Sequence, residues 1–366
     1  MSESSLPTSG KTSMLDEIHE QPIALRRVLS HTMDAVRQVA QEVRQRDINL
    51  ILLAARGTSD HAALYAQYLF QYLNGIPVAL ATPSLYTLYG ISPRLEKAMV
   101  IGISQSGESP DIAEVVAHAR TSGALTVGIT NQEGSLLTRT AQHTLLCHAG
   151  PERSVAATKT YTTTCTVLAM LSASMPSGEL LQEPLEQIPE LVAAALMNEE
   201  NIARRTERYV YARDCLVLGR VFQYSTARET ALKLEETCYV VATPFSSADF
   251  RHGPAALVER GFPAIVFAPP GKTSNDSFEL LQWLREHGAD CLVIAEEERL
   301  LDLATVPIQL KLPAISSNKA ADKRIAELLA PLPYIIPGQL FAHYLALNKG
   351  LNPDQPRSLT KITRTH

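Results

Sequence analysis

A run of small polar residues, SQSGES at positions 104–109, has the composition of an anion-binding turn. It follows an apolar stretch, and the sequence Ser109-Pro110-Asp111 has the form of a helix N-cap. Free backbone N–H groups at a helix start favour an anion, and nearby hydroxyl and amide groups add neutral donors. The run therefore predicts a site for the phosphate of a small molecule. The expected donors are Ser104, Gln105, Ser106, Ser109, Thr58 and Ser59.

A second set of residues has the types needed for acid–base chemistry. Glu229, Lys233 and Glu236 lie at i, i+4 and i+7 and therefore share one helix face. Such a face is often merely solvated, but this helix begins at the predicted ligand edge of a sheet. His252, in the turn-rich stretch FRHGP, is a candidate proton shuttle, although a single loop histidine is often incidental. Lys361 is either part of a frayed tail or an amine that reaches a pocket.

The elements that position these residues occur twice. Arg56 and Arg220 each follow an apolar strand-like run and precede a helical stretch, and Gly107 and Gly271 recur at the same offset. The second copy has PPGKTS at 269–274 where the first has SQSGES, so the donor-rich loop is found in one copy alone. This difference favours a phosphate site over an ordinary serine- and glycine-rich turn. Neither a GxxxxGK[ST] P-loop nor a GxGxxG dinucleotide motif is present.

Each copy alternates short β-branched apolar runs with helical stretches, a pattern that predicts an α/β fold. We expect a tandem duplication in which each domain is a parallel β-sheet flanked by helices on both faces. The predicted organisation is a disordered leader (1–13), a helical lead-in interrupted at Pro22 (14–46), a first domain with the phosphate cradle (47–180), a helical linker (181–206), a second domain with the acid–base residues (207–350) and a tail that reaches the active site (351–366).

Composition excludes several classes of protein. The net charge of −5 gives no basic surface for nucleic acid, and no apolar run reaches the roughly 20 residues of a membrane span. The N-terminus lacks the apolar core of a signal peptide, and the five scattered cysteines form no CxxC pair. We therefore expect a cytoplasmic protein with reduced, mostly buried cysteines. No metal-spaced cluster of His and Cys residues occurs, so no metal or organic cofactor is predicted.

Six motifs together resemble the sugar isomerase (SIS) family. In particular, they resemble the isomerase half of glutamine–fructose-6-phosphate aminotransferase and the stand-alone SIS-type glucosamine-6-phosphate deaminases. The resemblance covers nearly the whole chain from residue 14 to residue 361. The motifs are ARGTSDHA, ISQSGES, SVAATKTYT, ALKLEETCY, FRHGP and DQPRSLTK.

The resemblance implies a role for each candidate residue. The serines and glutamine of ISQSGES, with the serine of GTS, would hold a sugar 6-phosphate. Glu236 would be the base that moves a proton between C1 and C2, with Lys233 supporting it. His252 would open the sugar ring from the neighbouring subunit of a homodimer, and Lys361 would contact the open-chain sugar. We also assign Val155 and Glu229 to the sugar site, Val155 from the resemblance and Glu229 from its helix face.

The expected function is a deaminase that converts glucosamine 6-phosphate to fructose 6-phosphate and ammonia. The aminotransferases begin with a glutaminase domain whose cysteine follows the initiator Met, whereas this sequence begins Met1-Ser2-Glu3. That difference leads us to expect a stand-alone enzyme. The alternatives are a fructosamine-6-phosphate deglycase, the isomerase component of a glucosamine-6-phosphate synthase, and a non-enzymatic regulator that senses a sugar phosphate.

Overall fold

The computed structural model describes residues 12–91, 93–315 and 323–361. The predicted leader lies outside the described residues except for Thr12 and Ser13. Helix α1 starts at Ser13, where the Thr12 hydroxyl caps it by accepting from the backbone N–H of Leu15. The predicted interruption at Pro22 falls two residues earlier, because α1 ends at His19 and the second helix starts at Gln21. Pro22 occupies the first turn of that second helix, where its missing N–H costs no hydrogen bond.

The first sheet is entirely parallel, with the strand order β2-β1-β3-β4-β5. Strands β3 and β4 are buried along their whole length, as expected for a sheet covered on both faces. Leu52 of β1 pairs with Val100 of β3, so the carboxyl ends of these two strands are neighbours. The strands are β1 (Leu50–Ala54), β2 (Val78–Leu80), β3 (Ala98–Ile103), β4 (Leu125–Thr130) and β5 (His143–Leu146).

The second sheet repeats the topology of the first. Its order is β10-β9-β8-β6-β7, again with every pairing parallel. When its strands are renumbered from the start of the second copy, the order is the same 2-1-3-4-5. The predicted tandem α/β duplication is therefore confirmed. The strands are β6 (Asp214–Gly219), β7 (Val241–Ser246), β8 (Pro263–Ala268), β9 (Asp290–Ala295) and β10 (Val306–Gln309).

Helices flank both sheets. From the N-terminus to the end of the first copy they are α1 (Ser13–His19), α2 (Gln21–His31), α3 (Met33–Gln45), α4 (Thr58–Asn74), α5 (Pro83–Thr87), α6 (Pro110–Thr121), α7 (Leu136–Thr140) and α8 (Lys159–Ser174). The rest are α9 (Gln182–Leu185), α10 (Ile188–Leu196), α11 (Glu199–Thr206), α12 (Gln223–Cys238), α13 (Ser247–Phe250), α14 (Ser274–Glu286), α15 (Glu298–Leu301), α16 (Lys323–Leu329) and α17 (Pro331–Asn348). Three short 3₁₀ helices are Glu179–Leu181, Glu207–Tyr209 and Pro254–Leu257.

The chain forms two compact units, and each is discontinuous in sequence. Of the described residues, the first unit contains the first sheet and comprises those within 23–152 and 159–186, together with Thr360 and Lys361. The second unit contains the second sheet and comprises the described residues within 12–22, 153–158 and 187–359. Short segments therefore pass from one unit to the other near the candidate residues Val155 and Lys361.

Each unit buries an apolar core between its sheet and helices. In the first unit, side chains of β1 and β3 such as Leu52 and Val100 pack with Ile112 and Val116 of α6. Burial of one such side chain stabilises the fold by about 1.5–3 kcal/mol. In the second unit the corresponding contacts join Leu216, Val266, Leu280, Leu284 and Val293.

The last long helix differs from its sequence pattern. The stretch from Leu340 to Gly350 predicts an amphipathic helix, but α17 starts earlier, at Pro331, and is buried on nearly all sides. Among the described residues, no single helix has the length and apolar composition needed to cross a membrane. Only α16 and α17 taken together, with a bend of 44° between them, meet that criterion.

All five cysteines are buried and carry thiols, as predicted. Burial raises the pKa of Cys147 to about 11 and the pKa values of Cys238 and Cys291 to about 12. Thiols with such high pKa values carry almost no thiolate near neutral pH, so they are not nucleophiles. They act as small core residues.

Candidate active site

Two loops at the ligand edge of the first sheet carry the predicted phosphate donors. Ser104 to Ser109 connect β3 to α6, while Thr58 and Ser59 form the first turn of α4 after β1. Because β1 and β3 are adjacent parallel strands, both helices begin at the same edge of the sheet. Ser104 is almost fully buried, and the other five donors are half-buried. The structure thus places all six donors on neighbouring loops.

The hydroxyl groups of the first loop face inward. Ser109 occupies the N-cap position of α6 in an extended conformation, yet its side chain does not cap the helix. Instead its Oγ lies 3.0 Å from Oγ of Ser104. The Ser104 hydroxyl also accepts a hydrogen bond from the N–H of Gly107 (3.2 Å), and that of Ser106 accepts from the N–H of Glu108 (3.2 Å). Pro110 has no N–H, and the N–H of Ile112 already donates to Oδ1 of Asp111 (3.0 Å), so this helix start can offer an anion the N–H of Asp111.

Gly107 is required by the shape of this loop. Its φ of +67° is a left-handed conformation that glycine adopts without strain. A Cβ at this position would lie 2.1 Å from Oγ of Ser135. The carbonyl oxygen of Gly107 also accepts a hydrogen bond from the N–H of Leu137 at 2.9 Å. The turn is therefore packed closely against the start of α7 and is rigid.

An ion pair connects the two donor loops. Nε of Arg56, which follows β1, donates to Oδ2 of Asp111 in the first turn of α6 at 2.9 Å. The Asp111 carboxylate is buried, whereas about half of the Arg56 side chain is exposed. The second copy has a looser equivalent, in which Arg220 lies 3.6 Å from Asp276. Arg56 therefore fixes the spacing of the two helix starts that carry the donors.

The tail lysine binds a buried carboxylate within the first unit. Nζ of Lys361 lies 2.7 Å from Oε2 of Glu152, whose side chain has no exposed surface. Thr160 also binds Glu152, with its N–H at 3.0 Å and its hydroxyl at 2.7 Å. These contacts hold Glu152 as an ionised, fully paired carboxylate. They fix the position of the lysine.

In the second unit, α12 places the predicted acid–base residues on one face, as their spacing predicts. Nζ of Lys233 lies 3.3 Å from Oε1 of Glu229 and 2.6 Å from Oε2 of Glu236. Lys233 and Glu229 have no exposed surface, whereas the Glu236 side chain is 19% exposed. Among these three residues, Glu236 is the one that a ligand can reach.

Two opposing effects set the charge of Lys233. Burial alone would lower the pKa of its ammonium group, but the carboxylates of Glu229 and Glu236 outweigh burial and raise the pKa above its usual range. Lys233 is therefore a permanent cation near neutral pH. It can hold the Glu236 carboxylate in place, but it lacks the free amine that a Schiff base requires.

The loop of the second copy that corresponds to SQSGES is filled by a side chain of the same chain. Glu327 of α16 accepts hydrogen bonds from the N–H groups of Lys272 (3.2 Å) and Thr273 (3.3 Å) and from the Thr273 hydroxyl (3.1 Å). Gly271, at φ +145°, is so close that a Cβ would lie 2.7 Å from the Glu327 carboxylate. The donors at the start of α14 are thus already occupied by an anion.

Comparison with known proteins places the chain in a family. The model of the SIS domain matches residues 44–174 and 210–320, which together make up more than half of the chain. This chain belongs to the SIS domain family. Its two matched segments coincide with the two parallel sheets.

Proteins similar to this SIS chain include enzymes of amino-sugar synthesis. Glutamine–fructose-6-phosphate aminotransferase (isomerizing) of Thermococcus kodakarensis is 37% identical over 359 residues, which cover 95% of this chain and 57% of the relative. The chain thus spans little more than half the length of that relative. The C-terminal domain of the Francisella tularensis glucosamine–fructose-6-phosphate aminotransferase is 26% identical, with a TM-score of 0.82 over 94% of this chain and 98% of that one.

A further solved structure matches along its whole length. It comes from Silicibacter pomeroyi DSS-3 and is described as a proposed phosphosugar isomerase. It is 35% identical to this SIS chain, with a TM-score of 0.82 over 94% of this chain and 100% of that one.

Two predicted residues lie apart from the groups described above. His252 is exposed on the second unit, and its backbone N–H donates to the carbonyl of Asp249 at 2.9 Å. Its predicted role from a neighbouring subunit stays a prediction. Val155 is half-buried in the segment Arg153–Thr158 of the second unit. Among the described residues, no cluster of three or more His, Cys, Asp or Glu side chains could hold a metal ion.

Three residues that shape these sites were not predicted from the sequence. Arg56 and Glu152 both lie inside motifs or next to them, but their partners are distant in sequence and could not be read from spacing. Glu327 lies in no motif at all. A signal for Glu152 was available, since it is a charged residue two positions before SVAATK in a loop, and charged loop residues are candidate ligand contacts.

Proposed function

We propose that this SIS chain moves a proton between C1 and C2 of a six-carbon sugar 6-phosphate, with Glu236 as the base. The observation that carries the proposal is the Glu229–Lys233–Glu236 arrangement. A buried ammonium group holds a partly exposed carboxylate at 2.6 Å, which is the form that a positioned general base requires. Burying three charged side chains costs desolvation free energy. A protein that only binds a sugar phosphate would have no need for such a triad.

The SQSGES loop binds the phosphate of the substrate in this proposal. Its serine and glutamine side chains and the start of α6 supply neutral donors, to which Thr58 and Ser59 add hydroxyls. Binding the non-reacting end of the substrate supplies energy that orients the open chain at the reacting carbons. A sugar without the phosphate should therefore react poorly.

The proton transfer proceeds on the open-chain sugar. With glucosamine 6-phosphate, Glu236 removes the C2 proton, and the electron pair of that C–H bond forms a C1–C2 double bond as the aldehyde oxygen takes a proton from water to give an enol. The same carboxyl group then returns the proton to C1, and the nitrogen releases a proton to water, which leaves an imine at C2. Water adds to the imine and releases ammonia, and the product is fructose 6-phosphate. Such general acid–base transfer contributes about 10²–10⁴-fold to the rate.

The remaining residues assist these steps. His252 opens the sugar ring as a proton donor and acceptor from the neighbouring subunit of a homodimer. Lys361 contacts the open-chain sugar from its ion pair with Glu152. Lys233 is a positioning residue, because it acts through Glu236. Val155 and Glu229 complete the sugar site, with Glu229 acting through its contact to Lys233. No metal or organic cofactor enters this scheme.

Two versions of this chemistry differ in what happens to ammonia. Relatives that match 95% of the chain at 37% identity favour the isomerase component of a glucosamine-6-phosphate synthase. The chain would then receive ammonia from another source and run the steps towards glucosamine 6-phosphate. The deaminase, which runs them in the opposite direction, is the second candidate, because the same base and imine serve both.

One experiment separates these versions. The purified protein is incubated with glucosamine 6-phosphate, and ammonia and fructose 6-phosphate are measured. A second incubation contains fructose 6-phosphate and is assayed for glucose 6-phosphate. A deaminase releases ammonia and fructose 6-phosphate in equal amounts, whereas an isomerase component converts fructose 6-phosphate to glucose 6-phosphate and releases little ammonia. A fructosamine 6-phosphate tests the deglycase alternative in parallel.

The variant Glu236→Gln is the control in both incubations. It should bind the sugar phosphates but lose either activity. If the wild type catalyses none of these reactions while it binds fructose 6-phosphate, the enzymatic proposal is wrong and the chain is a sensor. If the Gln variant is as active as the wild type, Glu236 is not the base.

A further inference from the structure

The first unit contains an open cleft that borders the proposed phosphate site at Gln105 and is also lined by three residues with no role in the proposed reaction. Its volume is about 600 Å³, and it lies at the ligand edge of the sheet beyond β4 and β5. One wall carries three side chains that are cationic or can become so, Arg27, His31 and His148. Amide side chains of Gln105 and Asn131 line the cleft as well.

A specific set of hydrogen bonds builds the cationic wall. Nη2 of Arg27 donates to the carbonyl of Ala149 at 2.9 Å. The side chain of Asn131 binds the same loop twice, through the N–H of Ala149 (2.8 Å) and the carbonyl of Gly150 (2.8 Å). These contacts hold His148 at φ 45°, a left-handed conformation that is strained for histidine. Strained residues that the surrounding structure holds in place often serve binding.

The two histidines are close enough to bind one anion. Their ring centroids are 5.3 Å apart. Nδ1 of His31 lies 2.8 Å from the carbonyl oxygen of Arg27 and 2.8 Å from Oγ of Ser30, and these contacts fix the position of the ring. Burial, His31 and Arg27 together lower the pKa of His148, so this ring charges fully only in mildly acidic solution.

Arg27 has a hydrogen-bond donor to spare. Its Nε is buried and has no partner among the described residues. A buried guanidinium N–H without an acceptor is costly, and the guanidinium group keeps its positive charge beside the cleft. Arg27 is otherwise fixed, because Gly150 is so close that a Cβ there would lie 3.2 Å from its guanidinium group.

Nearby acidic groups do not cancel this positive charge. The Glu152 carboxylate, which also lines the cleft, is already bound by Lys361 and Thr160. Glu133 is exposed, and its effect in raising the pKa of His148 is smaller than each of the opposing effects of burial, His31 and Arg27. The cleft therefore has a net positive potential that increases as the histidines become protonated.

We propose that this cleft binds a small oxyanion through Arg27, His31 and His148, separately from the sugar phosphate. The oxyanion, a carboxylate or a phosphate, is carried either by an independent small molecule or by a substituent of the substrate amine. The SQSGES loop uses neutral donors and is indifferent to pH, whereas this cleft uses histidines. Binding in the cleft is accordingly tighter at lower pH.

Titration calorimetry with sulfate on the full chain tests this inference. Sulfate is a dianion throughout the range used, so any pH dependence belongs to the protein. Saturating fructose 6-phosphate is present to occupy the SQSGES loop. We expect sulfate to bind roughly tenfold more tightly at about pH 5.5 than at about pH 8.5, because the histidine-lined wall gains positive charge as the pH falls.

Five variants assign the effect. Arg27→Gln should lose sulfate binding at both pH values, while Arg26→Gln, an exposed neighbour that does not line the cleft, should retain it. His31→Asn and His148→Asn should each reduce the pH dependence and keep weak binding. Asn tolerates the left-handed conformation at position 148, so that variant should fold. The double variant Ser106→Ala, Ser109→Ala leaves the cleft intact and should bind sulfate as the wild type does, whether or not the proposed reaction is correct.

The results decide the inference and the source of the anion. An equal sulfate affinity at both pH values, or wild-type affinity in Arg27→Gln, would refute it. If a ketosamine 6-phosphate with a carboxylate on its amine displaces sulfate and fructose 6-phosphate does not, the substrate supplies the oxyanion. If neither displaces it, the oxyanion belongs to an independent small molecule.

Discussion

The loop after β3 and the loop after β8 occupy the same place in two copies of one fold, yet they differ in what fills them. The first presents serine hydroxyls, and its own acidic residue, Glu108, is exposed. The second directs its N–H groups at the buried carboxylate of Glu327. The second copy thus satisfies its turn with a side chain of the same chain. In the first copy, the proposed occupant of the turn is the phosphate of a ligand.

The helices that follow β1 and β6 differ in a complementary way. Helix α4 opens with Thr58 and Ser59, which are half-buried neutral donors. Helix α12 carries a buried ion triad centred on Lys233. Donors for a phosphate are therefore concentrated in the first copy, and charged groups suited to proton transfer are concentrated in the second. This division of roles leads to the predictions that follow.

The largest effect on stability should come from Lys233→Met. The substitution removes the ammonium group that faces the fully buried carboxylate of Glu229, which costs about 3–5 kcal/mol in the free energy of unfolding. Urea denaturation measures the loss. The double variant Glu229→Gln, Lys233→Met removes the uncompensated charge and should recover part of the stability. Equal losses in both variants would mean that the ion triad is not what stabilises α12.

A smaller loss should distinguish the two loops directly. Glu327→Ala removes the acceptor of three hydrogen bonds at the start of α14, at a cost of about 2–3 kcal/mol. Glu108→Ala is the matched change in the first copy, where the exposed carboxylate accepts one hydrogen bond from the N–H of Leu136. It should cost less than about 1 kcal/mol. Comparable losses, measured by urea denaturation, would contradict the contrast between a filled and an open loop.

The second unit should also make the protein less stable in acid. Burial, with a contribution from His19, lowers the pKa of His343 from 6.5 to about 4, although Asp354 and Glu199 oppose the shift. Below about pH 6.5, His343 binds a proton in the unfolded chain but stays neutral in the folded chain until the pH is much lower. Protonation therefore stabilises the unfolded state relative to the folded state. The free energy of unfolding should fall by about 2 kcal/mol between pH 7 and pH 5. His343→Gln should reduce this dependence, and an unchanged pH profile would exclude His343 as its source.

Much of this architecture was predictable because it depends on local patterns. Strands such as Val100–Ile103 and the repeated loops follow from short apolar runs and turn residues, and the resulting α/β duplication is confirmed. The spacing of Glu229, Lys233 and Glu236 was enough to place them on one helix face. Each of these inferences uses residues that are near one another in sequence.

The contacts that were not predicted join residues far apart in the chain. Glu152 and Lys361 are in contact although more than half of the sequence separates them. Glu327 lies on α16, a helix that contains no motif, and it accepts hydrogen bonds from the loop after β8. The nearly complete burial of α17 was missed for the same reason, because its polar residues find partners on other elements. Gln339, for example, binds Gln21 and the carbonyl of Thr158. Periodicity describes a helix face but not what covers it.

The most direct test of the division between the copies is exchange of the C1 protons of fructose 6-phosphate with deuterated solvent, followed by NMR. In Glu236→Gln, the affinity for fructose 6-phosphate should be unchanged, and exchange at saturation should fall by at least about 100-fold. In Ser106→Ala, Ser109→Ala, the affinity should fall roughly tenfold, and exchange at saturation should match the wild type. The opposite pattern, with exchange intact in Glu236→Gln or lost at saturation in the serine variant, would contradict the account.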